Sequence, residues 1–180
     1  MVIDKSTGHD FTCSSVGIIL SECPHYKARW TVLKYADQEN FEKGNPTNCI
    51  VVDGNLLLNE GINALWTLVC GGAETAFDNS NARIGVGDSI TPAAATQTGL
   101  QATTNKLYKA VDGGYPTYGT SQKATWRATF GSSEANFAWN EITVANGAND
   151  SAKNLNRLVQ YLGTKASPGI WTVSLEITIG

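Results

Sequence analysis

Only one stretch of this chain carries a helical repeat. In Asn48–Gly72, NCIVVDGNLLLNEGINALWTLVCGG, the residues Leu58, Ile62, Leu65 and Val69 recur at helical spacing, and Leu57, Trp66 and Leu68 widen the stripe. Cys49–Val52 ahead of it reads as a short strand, and Asp53-Gly54 as a turn. Asp53 or Asn55 offers a side-chain oxygen to a free amide of the first helical turn. Gly71-Gly72 ends the helix, because glycine accepts the left-handed cap conformation. The pattern predicts a helix over about residues 55–70. Gly61 costs roughly 1 kcal/mol relative to alanine inside a helix, so its presence predicts close approach of a strand. A single helix in a β-rich chain is expected to act as a plug. Leu58, Ile62, Leu65, Trp66 and Val69 should then be buried against a sandwich whose last strand is Trp171–Ile179.

The remainder reads as strand and loop. Ile170–Ile179 alternates most clearly: Trp171, Val173, Leu175, Ile177 and Ile179 against Thr172, Ser174, Glu176 and Thr178. Ala124–Phe130 puts Trp126, Ala128 and Phe130 on one face, and Phe137–Val144 follows it. Lys27–Tyr35 places Trp30 and Val32 together. Ala82–Val86, Lys106–Val111 and Asn154–Leu162 complete the set, the last with Leu155, Arg157, Val159 and Tyr161 on one side. Tyr115–Gly119 contains Pro116 and is demoted to an edge. Asp37–Asn48 reads as a charged loop, and Ser89–Gln101 as an ordered excursion with room for one helical turn. Strands at this spacing, with polar turns between, predict a mainly β fold: a β-sandwich or jelly-roll-like body with one packed helix. Residues 1–28 form an extended N-terminal arm, with one short strand candidate at Val16–Leu20, and residues 29–180 form the sandwich domain.

Composition narrows the classes. The net charge is −3, and no run of Lys or Arg exists to neutralise phosphates, so nucleic acid is not expected as a partner. Charged residues make up 16% of the chain, below the usual quarter or so. Small polar residues replace them, which suits a β-rich surface covered by neighbours. The longest apolar run, around Val16–Leu20, is far too short to span a membrane. MVIDKSTGHDF lacks a basic region followed by an apolar core, so no signal peptide is expected and the chain should stay soluble in the cytosol. Reduced thiols follow as the default. Cys49 and Cys70 are expected to be small buried hydrophobes.

Catalytic and ligand-binding patterns are weak. His9 and His25 both lie in the arm, and no G-x-S-x-G elbow surrounds a serine. His9, Cys13, Cys23 and His25 are apt zinc ligands, but their spacing matches no standard module. A Cys13–Cys23 disulfide is the alternative in oxidising surroundings. Glu134 and Glu141 flank FAWNE beside Trp139 and could form an acid pair; the plainer reading makes Glu134 a turn residue and Glu141 an outward strand residue. Trp30, Trp66, Trp126, Trp139 and Trp171 could stack on a sugar, but their positions favour the core. Gly85–Asp88, GVGD, precedes no helix of the phosphate-binding kind. The expectation is a protein without catalytic, cofactor or metal residues.

From Asp53 to Ile179 the chain resembles structural proteins of tailed bacteriophages and prophages. DGNLLLNEGINALWTL, NARIGVGDS with AAATQTGLQATTNKLYKA, DGGYPTY, TWRATFGSSEANFAWNEITVANG, KNLNR and LGTKASPGIWTVSLEITI carry the resemblance, which covers about two-thirds of the sequence. It implies a β-sandwich virion component without enzymatic activity, made in the host cytoplasm and located in the particle. The reading it favours is a capsid decoration, or cement, protein that braces neighbouring major capsid subunits, with a homotrimer as the expected oligomer. A tail, baseplate or receptor-binding component is the alternative, with an exposed site using Tyr115, Tyr118 or Trp139. An extended arm of 28 residues could reach on the order of 90 Å.

Overall fold

The computed structural model describes residues 26–180. The expectations for Val16–Leu20, His9, Cys13, Cys23 and His25 fall outside these residues. Ten strands and two helices follow one another: β1 (Tyr26–Tyr35), α1 (Gln38–Glu42), β2 (Asn48–Asp53), β3 (Leu56–Leu57), α2 (Asn59–Val69), β4 (Arg83–Gly87), β5 (Lys106–Ala110), β6 (Thr117–Thr120), β7 (Lys123–Phe130), β8 (Ala138–Ala145), β9 (Asn156–Thr164) and β10 (Ile170–Ile179). They form two five-stranded antiparallel sheets, ordered β2-β1-β10-β7-β6 and β3-β9-β8-β4-β5. The closing strand is central. β10 pairs with β1 from Tyr26↔Ile179 to Tyr35↔Ile170, and with β7 from Trp171↔Phe130 to Thr178↔Lys123.

Alternation explains the core. Trp30 and Val32 of β1, Val173 and Leu175 of β10, and Trp126, Ala128 and Phe130 of β7 are buried together. Ile84, Val86, Ile142, Val144 and Leu162 meet them from the second sheet. Trp139 is fully buried and packs edge-on against Phe130 and Trp171, each with ring centroids 4.7 Å away. Such pairs contribute roughly 0.5–1.5 kcal/mol beyond area burial. The Trp139 indole donates to the Ala135 carbonyl at 3.0 Å, so its polar atom is satisfied inside the core. Lys34 Nζ sits 4.1 Å from the Trp171 ring centroid, and burial lowers the pKa of its ammonium.

Several local expectations are corrected. The charged loop after β1 contains the short α1, because Asp37 accepts the Asn40 amide at 2.8 Å and caps it. α2 begins only at Asn59. Its N-cap is Leu58, not Asp53 or Asn55, because Leu56 and Leu57 are taken up as β3, paired with Arg157 and Asn156 of β9. Its end matches the glycine signal: Gly71 has φ +77°, and the Gly72 amide returns to the Thr67 carbonyl at 2.7 Å. The segment 89–101 holds no strand, and its turn is a single bond from the Gln97 amide to the Ala94 carbonyl. Cys49, on edge strand β2, and Cys70, at the end of α2, are both exposed rather than buried.

The plug expectation fails for most of its residues. Leu58 is fully buried, but Leu65 is 37% exposed, Trp66 63% and Val69 75%, and Ile62 is half-buried. The buried face of α2 is made by Gly61 and Ala64. A Cβ on Gly61 would lie 2.4 Å from Leu155 Cα and 2.6 Å from the Asn154 carbonyl oxygen. The helix therefore approaches the start of β9 backbone to backbone. Glu60 fixes it there: its carboxylate accepts the Asn154 amide at 2.8 Å and the Gly99 amide at 3.3 Å. At about 100° per residue, the large apolar side chains are centred roughly a third of a turn away from the small buried ones.

Candidate functional site

The outward stripe of α2 is the most distinctive surface of the described body. Ile62, Leu65, Trp66 and Val69 fall at i, i+3, i+4 and i+7, so they form one continuous ridge. The small-residue face clamps the helix to β9, so the ridge is held rigidly. Beside it, between α2 and the ends of β7 and β10, lies an apolar groove of about 320 Å³. Leu57, Leu65, Ala124, Trp126, Ile177 and Ile179 line it, and so does Tyr26 at the start of β1. Ile179 on its rim is exposed. Large side chains on an ordered helix, next to an apolar depression, make a surface suited to a protein partner.

A second concavity is polar. It measures about 680 Å³ and is lined by Tyr26, Arg29, Asp53, Asn55 and Glu176, among others. Arg29 Nε donates to Asp53 Oδ1 at 2.7 Å, and that hydrogen bond lowers the Asp53 pKa below the usual carboxylate range. Tyr26 donates its hydroxyl to Asn55 at 2.8 Å. Burial pushes the Tyr26 phenol up to about 12, the bond to Asn55 opposing it in part.

The acids singled out as a possible pair do not share a cleft. Glu141 is fully buried, contrary to its expected outward position. Its carboxylate accepts Arg157 Nε at 2.7 Å, the Gln101 amide at 3.0 Å and the Ala102 amide at 2.7 Å. Arg157 also donates to Gln97 at 2.9 Å, so the pair fastens the 97–102 segment to the second sheet. Glu134 accepts Lys109 through both oxygens, at 2.6 and 2.7 Å, and the Gly131 amide at 2.7 Å. Desolvation would raise its pKa, but these bonds and the charges of Lys109 and Lys165 together hold it below the ordinary glutamate range. Lys165 is buried and donates to the Gly131 carbonyl at 2.6 Å and to Asn136 at 2.9 Å; burial lowers its pKa against the pull of Glu134.

Other sequence candidates resolve in the same way. Gly87 makes room for Glu141, whose Oε1 would lie 2.4 Å from an added Cβ, and Gly85 for the Tyr108 ring. The G-V-G-D string is thus a packing feature of β4. Four of the five tryptophans are buried, but Trp66 is exposed, which corrects its core assignment. Trp139 is sealed in the core and offers nothing to a ligand. Tyr115 is covered by Arg127, whose guanidinium lies 4.4 Å from its ring, while Tyr118 is exposed on edge strand β6. Among the described residues there is no cluster of three or more His, Cys, Asp or Glu side chains apt for a metal, and no helix long and apolar enough to cross a membrane.

No protein-family model matches the chain, and no curated protein and no solved structure was found to be similar to it.

Proposed function

We propose that this chain is a non-enzymatic interaction protein of a phage-type virion, a capsid decoration protein that braces neighbouring major capsid subunits on the outer shell. The observation that carries the reading is the exposed ridge of Leu65, Trp66 and Val69 on a helix locked to the sandwich through Gly61. A solvated monomer gains nothing from keeping these side chains in water, whereas a partner would bury them at about 25 cal/mol per Å² of apolar area. The small fraction of charged residues works in the same direction, because uncharged surface costs less to desolvate at an interface. The phage-structural resemblance supplies the particle as the setting, and a homotrimer is the oligomer proposed.

A tail or receptor-binding role is the second reading. The polar concavity around Arg29, Asp53 and Glu176 favours it, because that surface could meet a hydrogen-bonding ligand.

Decoration can be tested with purified shells. Deletion of residues 1–25 stops short of β1 and keeps every strand of the described residues. The deleted chain is expected to bind shells more weakly than the full chain. Unchanged affinity would remove the arm from the bracing role.

A further inference from the structure

Four strands end the two sheets: β2 and β6 in one, β3 and β5 in the other. An open edge is a template for another strand unless it is short, charged or bulged. β3 consists only of Leu56 and Leu57. β5 carries Lys106 and Lys109, paired with Asp150 and Glu134. β6 is short, shifts register between Tyr118 and Thr120, and holds Gly119 at φ +87°. β2, NCIVVD, has none of these guards. It pairs with β1 in unbroken register, it has no Lys or Arg, and its one charge, Asp53, is held by Arg29. The Gly54 amide donates to the Ala28 carbonyl at 2.7 Å, in register with Arg29↔Asp53. Backbone bonding alternates along an antiparallel pair. Ile50 and Val52 therefore bond to β1, and Cys49, Val51 and Asp53 turn their N–H and C=O groups to the open side. Among the described residues no turn or loop backbone takes up those groups. Val51 is 54% exposed.

We infer that β2 pairs with β2 of a second copy, antiparallel about a two-fold axis at Val51. In that register Val51 faces its own counterpart, Cys49 faces Asp53, and Ile50 faces Val52. The outward groups then exchange about six backbone hydrogen bonds across the join. Ile50 and Val52 are half-buried against the core. They meet in the non-bonded pairs, where side chains come closest, so the apolar inner layer continues from one copy into the other. The two Asp53 carboxylates stay about 14 Å apart along the strands, beyond the Debye length of about 8 Å at physiological salt. A foreign strand would need this match by chance, whereas a second copy has it by symmetry. One short edge buries less than the roughly 1,200 Å² of a standard interface, so the pairing is weak and depends on concentration. It does not rest on the virion reading. It is also separate from the ridge of α2: copies assembled through the ridge would be linked to further copies by it.

The test is sedimentation equilibrium of the full-length chain carrying Trp66→Lys and Val69→Lys, so that association through the ridge does not contribute. Its mass is expected to double as concentration rises. Val51→Pro removes an N–H that β1 does not use, and proline is tolerated at such an edge position. Its loss deletes both bonds across the axis and should weaken the doubling at least about tenfold, while circular dichroism stays unchanged. Should Val51→Pro fail to fold, Val51→Lys at the same exposed position sets like charges face to face and carries the same expectation. In a chain whose native cysteines are replaced by serine, Val51→Cys should give a disulfide dimer on oxidation, because facing Cα atoms lie about 5.5 Å apart. Tyr118→Cys on β6, which is no less exposed, should not. A mass that does not double, a doubling untouched by the Val51 substitutions, or equal crosslinking of the two cysteine variants would each overturn the assignment.

Discussion

Arg157 and Glu141 form an ion pair from which solvent is wholly excluded: Arg157 Nε donates to Glu141 Oε2 at 2.7 Å, and neither side chain has any exposed surface. Two backbone amides, from Gln101 and Ala102, complete the carboxylate's shell. Removing one member of such a pair leaves an uncompensated charge in the interior, a loss of about 3–5 kcal/mol. Arg157→Met is therefore expected to lower unfolding free energy by about that amount, measured by urea denaturation. Amide exchange in residues 97–102 should rise in the same variant, because that segment loses its anchor. A loss below about 1 kcal/mol would show that the pair does not hold the segment in place.

Gly61 gives a prediction of opposite sign to helix propensity. Alanine is favoured over glycine in a helix by roughly 1 kcal/mol. Here an added methyl would meet the Leu155 and Asn154 backbone at 2.4 to 2.6 Å. Backbone atoms cannot move aside as a flexible side chain can, and overpacking of this kind costs about 1–3 kcal/mol. Gly61→Ala should destabilise the protein. A rise in its melting temperature would contradict the close contact.

The ridge of α2 should separate folding from binding. Trp66→Lys and Val69→Lys alter exposed side chains, so unfolding free energy should change by no more than about 0.5 kcal/mol. Partner binding or self-association should nevertheless fall, read by sedimentation of the variant with shells or with itself. If the double variant associates as the parent does, the ridge is not the interface.

Glu134 predicts an acid-side dependence of stability. Its pKa in the folded chain is held below the ordinary glutamate value. Its contribution is therefore present above the unfolded value, about 4.3, and is lost as pH falls through the lower folded value. Urea midpoints of the parent and Glu134→Gln should differ near neutral pH, and the difference should shrink as pH falls below the unfolded value of about 4.3. A difference that is constant from pH 7 down to pH 3 would remove the Lys109–Glu134 bonds as its source.

Where the sequence was legible, and where it was not, follows from what each signal measures. Alternation in β7 and β10 reports a face turned to the core, and Trp126, Phe130, Val173 and Leu175 lie there. The glycine pair after α2 and the close approach at Gly61 were both readable, because each depends on local backbone geometry. The orientation of α2 was not. An apolar stripe identifies a surface that avoids water, but not whether its cover belongs to the same chain. Gly61 and Ala64 decided the packed face by letting backbones touch, and the larger stripe was left outside. Glu141 was misplaced for a related reason. Its burial depends on Arg157, sixteen residues away in sequence, and on the space left by Gly87. No short-range pattern carries that pairing.

The central claim is that this chain decorates a shell, and the most direct test is its position and copy number in intact particles, by quantitative mass spectrometry together with electron microscopy. The account predicts a copy number close to that of the major shell protein, with density on the outer surface between neighbouring capsomers. A few to a few dozen copies, confined to the tail, would contradict it.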